Sequence, residues 1–435
     1  MTEIYSSFEP FQSPSREAYV DCQDVRGGWK VERELGRKIT RSKQPTCQLF
    51  SGHRGVGKST ELLRLQDYLE QQKYFVVYFT AEKDIEPQDA AYADILFACT
   101  RHLVEAIKLK NHNPLLEWMK DRWESLKDLV TTEVAFDKLS LTAQVAQFAK
   151  ITASIRAEPD KRRELRRRMV SSTPSLVDAL NDFIKEAEKS LPSDMRGIVL
   201  IVDNLDKMVE QQESEKNSNF DEIYLGRSEV MRGLACHVIY TVPISMIYSG
   251  QASQLESTYD QPIILPMVMV RNPDGSENAA GVGKIREVIV RRIDLIKPGL
   301  LQNLDPPVFD DPSTLKLLCL MSGGHVRNLM QLVQKALNWT EDLPITAKAV
   351  RRAIEEARET YRITIQENQW GNLARASHLK QAENNTGHLR LLYDRCLLEY
   401  RYYDNNDALQ VWCNVHPLIE GIPKFQDALA KVQST

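Results

Sequence analysis

None of the seven cysteines (Cys22, Cys47, Cys99, Cys236, Cys319, Cys396 and Cys413) stands at C-x-x-C spacing from another. Their number is odd and most have apolar neighbours, which argues for reduced core thiols rather than a disulfide framework or a zinc cluster. Long apolar runs are also missing. A stretch as hydrophobic as PIILPMVMV at 262–270 falls far short of the ~20 residues that a membrane span needs. The N-terminal MTEIYSSFEPFQSPSREAY is polar and acidic, without an apolar signal segment, so a cytoplasmic protein with no membrane part is expected. No excess of one charge exists either: 56 Lys+Arg stand against 60 Asp+Glu, formally −4. That balance argues against a protein that coats nucleic acid, and any polyanion contact has to be local. Internal repeats and low-complexity tracts are absent.

What is present is ordinary globular usage, 27% charged and 42% hydrophobic over 435 residues, a length that suits roughly two to three domains. Residues 1–20, with Pro10 and Pro14 but no periodicity, read as an extended arm. WKVERELGRKI (29–39) has helical spacing, CQLFS (47–51) reads as a short strand, and KSTELLRLQDYLEQQ (58–72) as an amphipathic helix. YFVVYFTA (74–81), IVLIVD (198–203) and HVIYTVP (237–243) read as buried strands, with PIILPMVMV as an edge or last strand because of its prolines. Residues 88–127, KRRELRRRM (161–169) and SLVDALNDFIKEAEKSL (175–191) are helical by period, whereas 134–155 suits either a hairpin or a helix. Strands separated by helices predict an α/β domain with a parallel sheet. From 284 onward the pattern is helical, except for two strands around DNND within 397–415.

GHRGVGKS at 52–59 matches G-x-x-x-x-G-K-[ST] in full, after a predicted strand and before a predicted helix. Gly52, Gly55 and Gly57 let the backbone curl so that N–H groups, including that of Val56, point at phosphate oxygens, and the helix start at Ser59 and Thr60 adds its positive dipole end. Lys58 would reach the β- and γ-phosphates of ATP, and the Ser59 hydroxyl would ligate Mg²⁺. Asp203, at the end of its strand, is the natural carboxylate partner of that Mg²⁺. An amide at Asn204 cannot take a proton from water, although it can hold one. Asp206 either supplies the base or only pairs with Lys207 or caps a helix.

With these elements the chain resembles an ASCE-class P-loop ATPase. More closely it is similar to the AAA+ and STAND families, in particular the branch of origin-recognition initiators. DVRGG (24–28) lies where the family has its adenine-side motif, which the resemblance assigns to Val25, Arg26 and Gly27. Thr241, in HVIYTVP, falls at the polar sensor-1 position, and KIREVIVRRI (284–293) resembles the helix leading into the lid. SGGHVRNLMQLVQKAL (322–337) resembles the sensor-2 helix, with Arg327 facing the γ-phosphate. The resemblance covers roughly 20–350, and YDRCLLEYRYYDNNDALQVWCNV then looks like a winged-helix module. The implied layout is an N-terminal arm and ATPase domain over 1–300 with a long insertion near 100–185, a helical lid over 301–350 and a winged-helix-like domain over 351–435. Two departures from the family are plain. The interval from Lys58 to Asp203 is far longer than usual, and Asn204 stands where AAA+ hydrolases carry a catalytic Glu, so that the D-x-x-D pattern of STAND relatives fits better.

KRRELRRR (161–168) carries six positive charges in eight residues. It reads as a solvated helix face in preference to a phosphate-backbone site. Arg227 and Arg232, just before the sensor-1 strand, are candidate arginine fingers. Residues 389–435 hold five basic and six acidic residues, net −1, which argues against duplex DNA and for protein contact. The function expected is an ATP-binding switch with slow hydrolysis that acts through a protein partner or a copy of itself. The resemblance adds a place in bacterial conflict or signalling systems. Its alternative is a DNA-loading or remodelling ATPase of the initiator type, and a third reading is a nucleotide-stabilised adaptor without turnover.

Overall fold

The apolar runs of the first half pair into one sheet. β1 (Cys47–Ser51), β2 (Tyr74–Thr80), β3 (Gly197–Asp203), β4 (His237–Thr241) and the short β5 (Ile263–Ile264) lie in the order β2-β3-β4-β1-β5. β1 with β4, β4 with β3 and β3 with β2 are parallel, and the register sets Thr80 opposite Asp203. Both strands therefore end on one edge. β3 is buried from Ile198 to Asp203, as expected of a central parallel strand that must be covered on both faces. The fold class is the expected α/β P-loop arrangement.

In this computed structural model the residues described are 2–12, 14–109, 112–127, 136–211, 218–296, 298 and 308–434. The boundary expected at 300/301 and residues 212–217 of the charged loop lie outside them. The chain folds into two units, one built from Met1–Lys30, Gly52–Thr60 and Ile264–Thr435, the other from Val31–Ser51 and Glu61–Ile263.

The second unit holds the sheet and, between β2 and β3, the helices Tyr92–Ala106, Pro114–Leu126, Leu141–Ala157 and Pro159–Ser190. Their apolar stripes (Ile95, Phe97, Trp118, Phe148, Leu165, Phe183) join the sheet residues in a single cluster. The segment that suited a hairpin or a helix is helical from Leu141, started by Ser140, whose Oγ accepts from the Ala143 N–H at 3.3 Å; residues 134 and 135 are outside the described set. The two helices expected at 161–169 and 175–191 are one, and it runs through Pro174. Its buried stripe from Leu165 and Met169 to Leu176, Leu180 and Phe183 spans the proline, and packing on both sides outweighs the one lost hydrogen bond.

The first unit is mainly helical, with Ala279–Ile296, Pro312–Met321, Val326–Asn338 and Ala347–Thr364 around their own apolar cluster. The expectation of an extended arm fails here. Thr2–Ser7 is a helix, and Ile4 and Phe8 are buried with Val282, Ile285 and Ile289. Two apolar residues four apart make one helical turn's worth of face, enough only when a neighbouring helix covers it. PIILPMVMV forms ladder only at Ile263–Ile264, since Pro266 removes a donor. The C-terminal segment runs Trp370–Leu379, Thr386–Tyr393, β6 (Leu397–Tyr403), β7 (Leu409–Val415) and Pro423–Gln433. β6 and β7 are antiparallel from Leu397↔Val415 to Tyr403↔Leu409. Asp404 closes the turn, its Oδ1 accepting from the N–H of Asn406 at 2.9 Å and of Ala408 at 3.0 Å.

Candidate nucleotide site

The phosphate loop has the backbone that its glycines predict, with φ of +142° at Gly52, +87° at Gly55 and +113° at Gly57. At Gly55 space demands glycine as well: a Cβ would stand 2.7 Å from both Arg327 Cβ and His325 Cε1. Lys58 is buried, and its Nζ donates to the carbonyls of Gly52 at 2.7 Å and His53 at 3.0 Å. Arg26 is buried too, its Nη2 donating to the Val56 carbonyl at 2.8 Å. Val25 beside it belongs to the apolar cluster of this unit. Ser59 and Thr60 open the helix Lys58–Gln71. Left-handed glycines, two buried cations and a helix N-terminus form a donor set that fits the phosphates of ATP.

Three elements grip this loop within the same unit. Ahead of the helix Val326–Asn338, His325 Nδ1 accepts from the Asn328 N–H at 3.1 Å while its Nε2 donates to the Arg54 carbonyl at 2.5 Å. The Arg327 N–H donates to the Gly55 carbonyl at 3.2 Å; its guanidinium donates to the Pro10 carbonyl at 3.2 Å and lies 5.3 Å from the Phe11 ring centroid. From β6, the Glu399 N–H donates to His53 Nε2 at 2.9 Å. Arg54 donates to the Tyr393 hydroxyl and stacks 4.2 Å over that ring. Burial, with Lys58 and Arg395 adding like charge, pushes His53 down to about 3; burial and Arg395 do the same to His416, to about 3, and hold His325 well below the usual range. These imidazoles are held neutral, and for His325 the N–H that Asn328 donates to Nδ1 requires that nitrogen to be unprotonated. A cavity of 310 Å³ opens beside Arg54, lined also by Tyr361, Tyr393 and Arg395.

The remaining expected site residues lie in the sheet unit. Asp203 is fully buried, its Oδ2 accepting from the Tyr78 hydroxyl at 2.8 Å and its Oδ1 from the Asn204 N–H at 2.7 Å. The Thr241 hydroxyl, also buried, accepts from the Leu205 N–H at 2.9 Å and so pins the turn after β3. Asn204 is left-handed at φ +65°, a conformation its short amide tolerates. Its Nδ2 donates to Glu82 Oε1 at 3.3 Å, and Lys207 pairs with the other oxygen of Glu82. Asp206 is buried at 3% exposure. Sequence reasoning missed Glu82, Tyr78, His53, Arg54 and His325. Only Glu82 carried a signal: it stands two residues beyond the end of a strand parallel to the one that ends in Asp203.

All six cations of the basic cluster have carboxylate partners. Arg162, 4% exposed, bonds Asp89 Oδ2 at 2.6 Å, and Arg166 bonds Asp89 at 2.6 Å and Asp94. Lys161 pairs with Glu158 and Arg163 with Asp160, while Arg167 and Arg168 share Glu164 and hold its carboxyl down to about 2. The face is paired, as these contacts show, but only Arg163 and Arg167 are exposed and Arg162 is buried, so the expectation of a solvated face holds only in part. Of the candidate fingers, Arg227 bonds Glu222 at 2.8 Å and Arg232 lies 6.0 Å from the Tyr259 ring centroid. Among the described residues no helix is long and apolar enough to cross a membrane.

No protein-family model matches the chain, and no curated protein does. Solved structures do align with it. Drosophila ORC bound to DNA is 11% identical over 98% of this chain and 90% of its own, with a TM-score of 0.40. The Aeropyrum pernix ORC1 protein in complex with DNA is 13% identical over 98% and 96%, with a TM-score of 0.41. The Aeropyrum pernix ORC2 protein in its ADPNP–ADP complexes is 11% identical over 99% and 98%, with a TM-score of 0.43. These neighbours belong to the initiator branch that the motifs resemble. At such scores the superpositions carry no residue roles, and the P-loop fold rests on the strand order and the phosphate loop themselves.

Proposed function

We propose that the chain is a cytoplasmic ATP-binding switch that hydrolyses ATP slowly and passes its state to a partner through its C-terminal segment. The observation that carries this reading is the grip on the phosphate loop. Backbone groups of Gly55 and Arg54 and the side chain of His53 bond directly to the helix that starts at Val326 and to β6. A loop that rearranges around a γ-phosphate therefore changes partners of the lid and of the hairpin together. The cavity beside Arg54 leaves the Arg54–Tyr393 pair room to move. Differential affinity for two such arrangements is all a switch requires.

Roles follow residue by residue. Lys58 neutralises phosphate charge, Val25 and Arg26 keep the adenine-side place that the motifs imply, Arg327 reads the γ-phosphate, and Ser59 and Asp203 are the residues whose chemistry would suit magnesium. Magnesium would supply charge neutralisation on the phosphates. Backbone hydrogen exchange in ADP and in a non-hydrolysable ATP analogue tests the reading. Protection in 386–420 should differ between the two nucleotides, and identical protection there removes the switch.

The second reading is a DNA-loading or remodelling ATPase of the initiator type, and the named neighbours lie on its side, two of them having been solved with DNA. The net charge of −1 over 389–435 weighs the other way. Phosphate release that rises several-fold on adding duplex DNA selects the initiator reading. Indifference to DNA selects the protein-partner switch.

A further inference from the structure

We propose that Glu82 is the carboxylate that accepts the proton of the attacking water, in place of the Glu that Asn204 displaces. The inference rests on the ATP-hydrolysis reading above and deepens it. β2 and β3 run in register to Thr80↔Asp203, so the turns that follow them, Ala81–Lys83 and Leu205–Lys207, leave the sheet side by side. Glu82 sits on the first turn and Asn204 leads into the second. The Asn204 amide donates to Glu82 Oε1 at 3.3 Å, and the Lys207 ammonium bonds Oε2. The carboxylate thus stands after the strand beside the one that would carry it in the D-E arrangement that the sequence lacks.

Exposure separates the two candidate bases. The Glu82 side chain is 40% exposed, whereas Asp206 is 3% exposed. Water reaches the first and not the second. Each Glu82 oxygen has two acceptor positions, so one donor apiece from Asn204 and Lys207 leaves room for a water proton. Asn204 suits its place because its left-handed backbone and its reach to Glu82 are both met by a short amide. The step balances simply. The water oxygen bonds to the γ-phosphorus, the bond from that phosphorus to the β,γ-bridging oxygen breaks with its electron pair leaving on ADP, and the water proton passes to Glu82 and on to solvent.

Phosphate release and binding of a fluorescent ATP analogue test this in parent, Glu82→Gln, the double variant Glu82→Asn/Asn204→Glu, and Lys58→Ala. Glu82→Gln should lower release by about 100-fold or more, the usual scale of general-base help, with analogue affinity within about threefold of the parent. The double variant, which moves the carboxylate to the other strand, should recover about tenfold over Glu82→Gln. Release from Glu82→Gln within about threefold of the parent overturns the proposal, and so does a parallel loss of binding, which would make Glu82 structural. A parent that binds the analogue yet releases no phosphate above the Lys58→Ala background also overturns it while leaving nucleotide binding intact. A parent that binds no analogue removes the ATP reading itself.

Discussion

The unit that carries the phosphate loop and the unit that carries the sheet use charge in opposite ways. Around the loop, Arg26, Arg54, Lys58 and Arg327 accompany His53, His325 and His416, whose imidazoles burial and Arg395 keep neutral. At the edge of the sheet the groups proposed to act are the carboxylates of Asp203 and Glu82, with hydroxyl and N–H donors on the first and an amide and the Lys207 ammonium on the second. The insertion between β2 and β3 repeats the second pattern, with Arg162 and Arg166 bound to Asp89 and Asp94. The difference follows from the chemistry. Gathering a polyanion needs positive charge close by, beside which a buried imidazole stays neutral. Holding a metal or taking a proton needs carboxylates, which buried sites accept only with donors on their oxygens.

If that contrast is right, the largest single-residue effect on stability lies in the sheet unit. Arg162→Ala removes a nearly buried guanidinium with its bonds to Asp89 and to the Ile155 and Arg156 carbonyls, leaving Asp89 to Arg166, and should cost about 2–3 kcal/mol in denaturant unfolding while ATP-analogue binding to the folded fraction is unchanged. Acid should single out the other unit. A histidine whose folded pKa lies below its unfolded value near 6.5 contributes no destabilisation above that pH and loses stability as pH falls toward the folded value, because only the unfolded chain takes up the proton. Three such histidines should cost about 3–4 kcal/mol between pH 6 and pH 5. His237, pushed down to about 4 by burial, is the sheet unit's only counterpart among the described residues with a lowered imidazole. Hydrogen exchange at the two pH values should therefore show protection falling first around His325 and His416, and uniform loss would break the contrast.

The same division sorts nucleotide variants. Lys58→Ala should weaken the ATP analogue by about 100-fold, near 2.7 kcal/mol, whereas Asp203→Asn should leave affinity in the absence of magnesium within about threefold. Equal losses from both, measured by fluorescence titration with EDTA, would merge the two roles. The smallest expected effect belongs to Arg327. Arg327→Ala should reduce discrimination between ATP and ADP by about fivefold, near 1 kcal/mol, with ADP affinity held; an equal loss for both nucleotides would make the stack on Phe11 its whole purpose.

Local rules alone determined a good part of this protein. GHRGVGKS states its phosphate loop because only glycine reaches those φ values, and the β-branched runs at 74–81 and 198–203 state buried parallel strands because both faces must be apolar. DNND between two alternating runs states the hairpin, since Asp404 closes the turn through its own neighbours. Tertiary structure decided the rest. Pro174 failed to end a helix and residues 2–7 failed to stay extended because distant apolar surfaces covered them, and local periodicity carries no record of a distant partner. The neutral state of His325 depends on its burial and on the field of Arg395, and its tautomer on a carbonyl from Arg54, both residues remote in sequence. Glu82 illustrates the limit most clearly. Its position after a strand was readable, but its partnership with Asn204 exists only because the sheet sets β2 beside β3 and Thr80 level with Asp203, and register between strands separated by more than a hundred residues is fixed by packing of the whole sheet rather than by either strand.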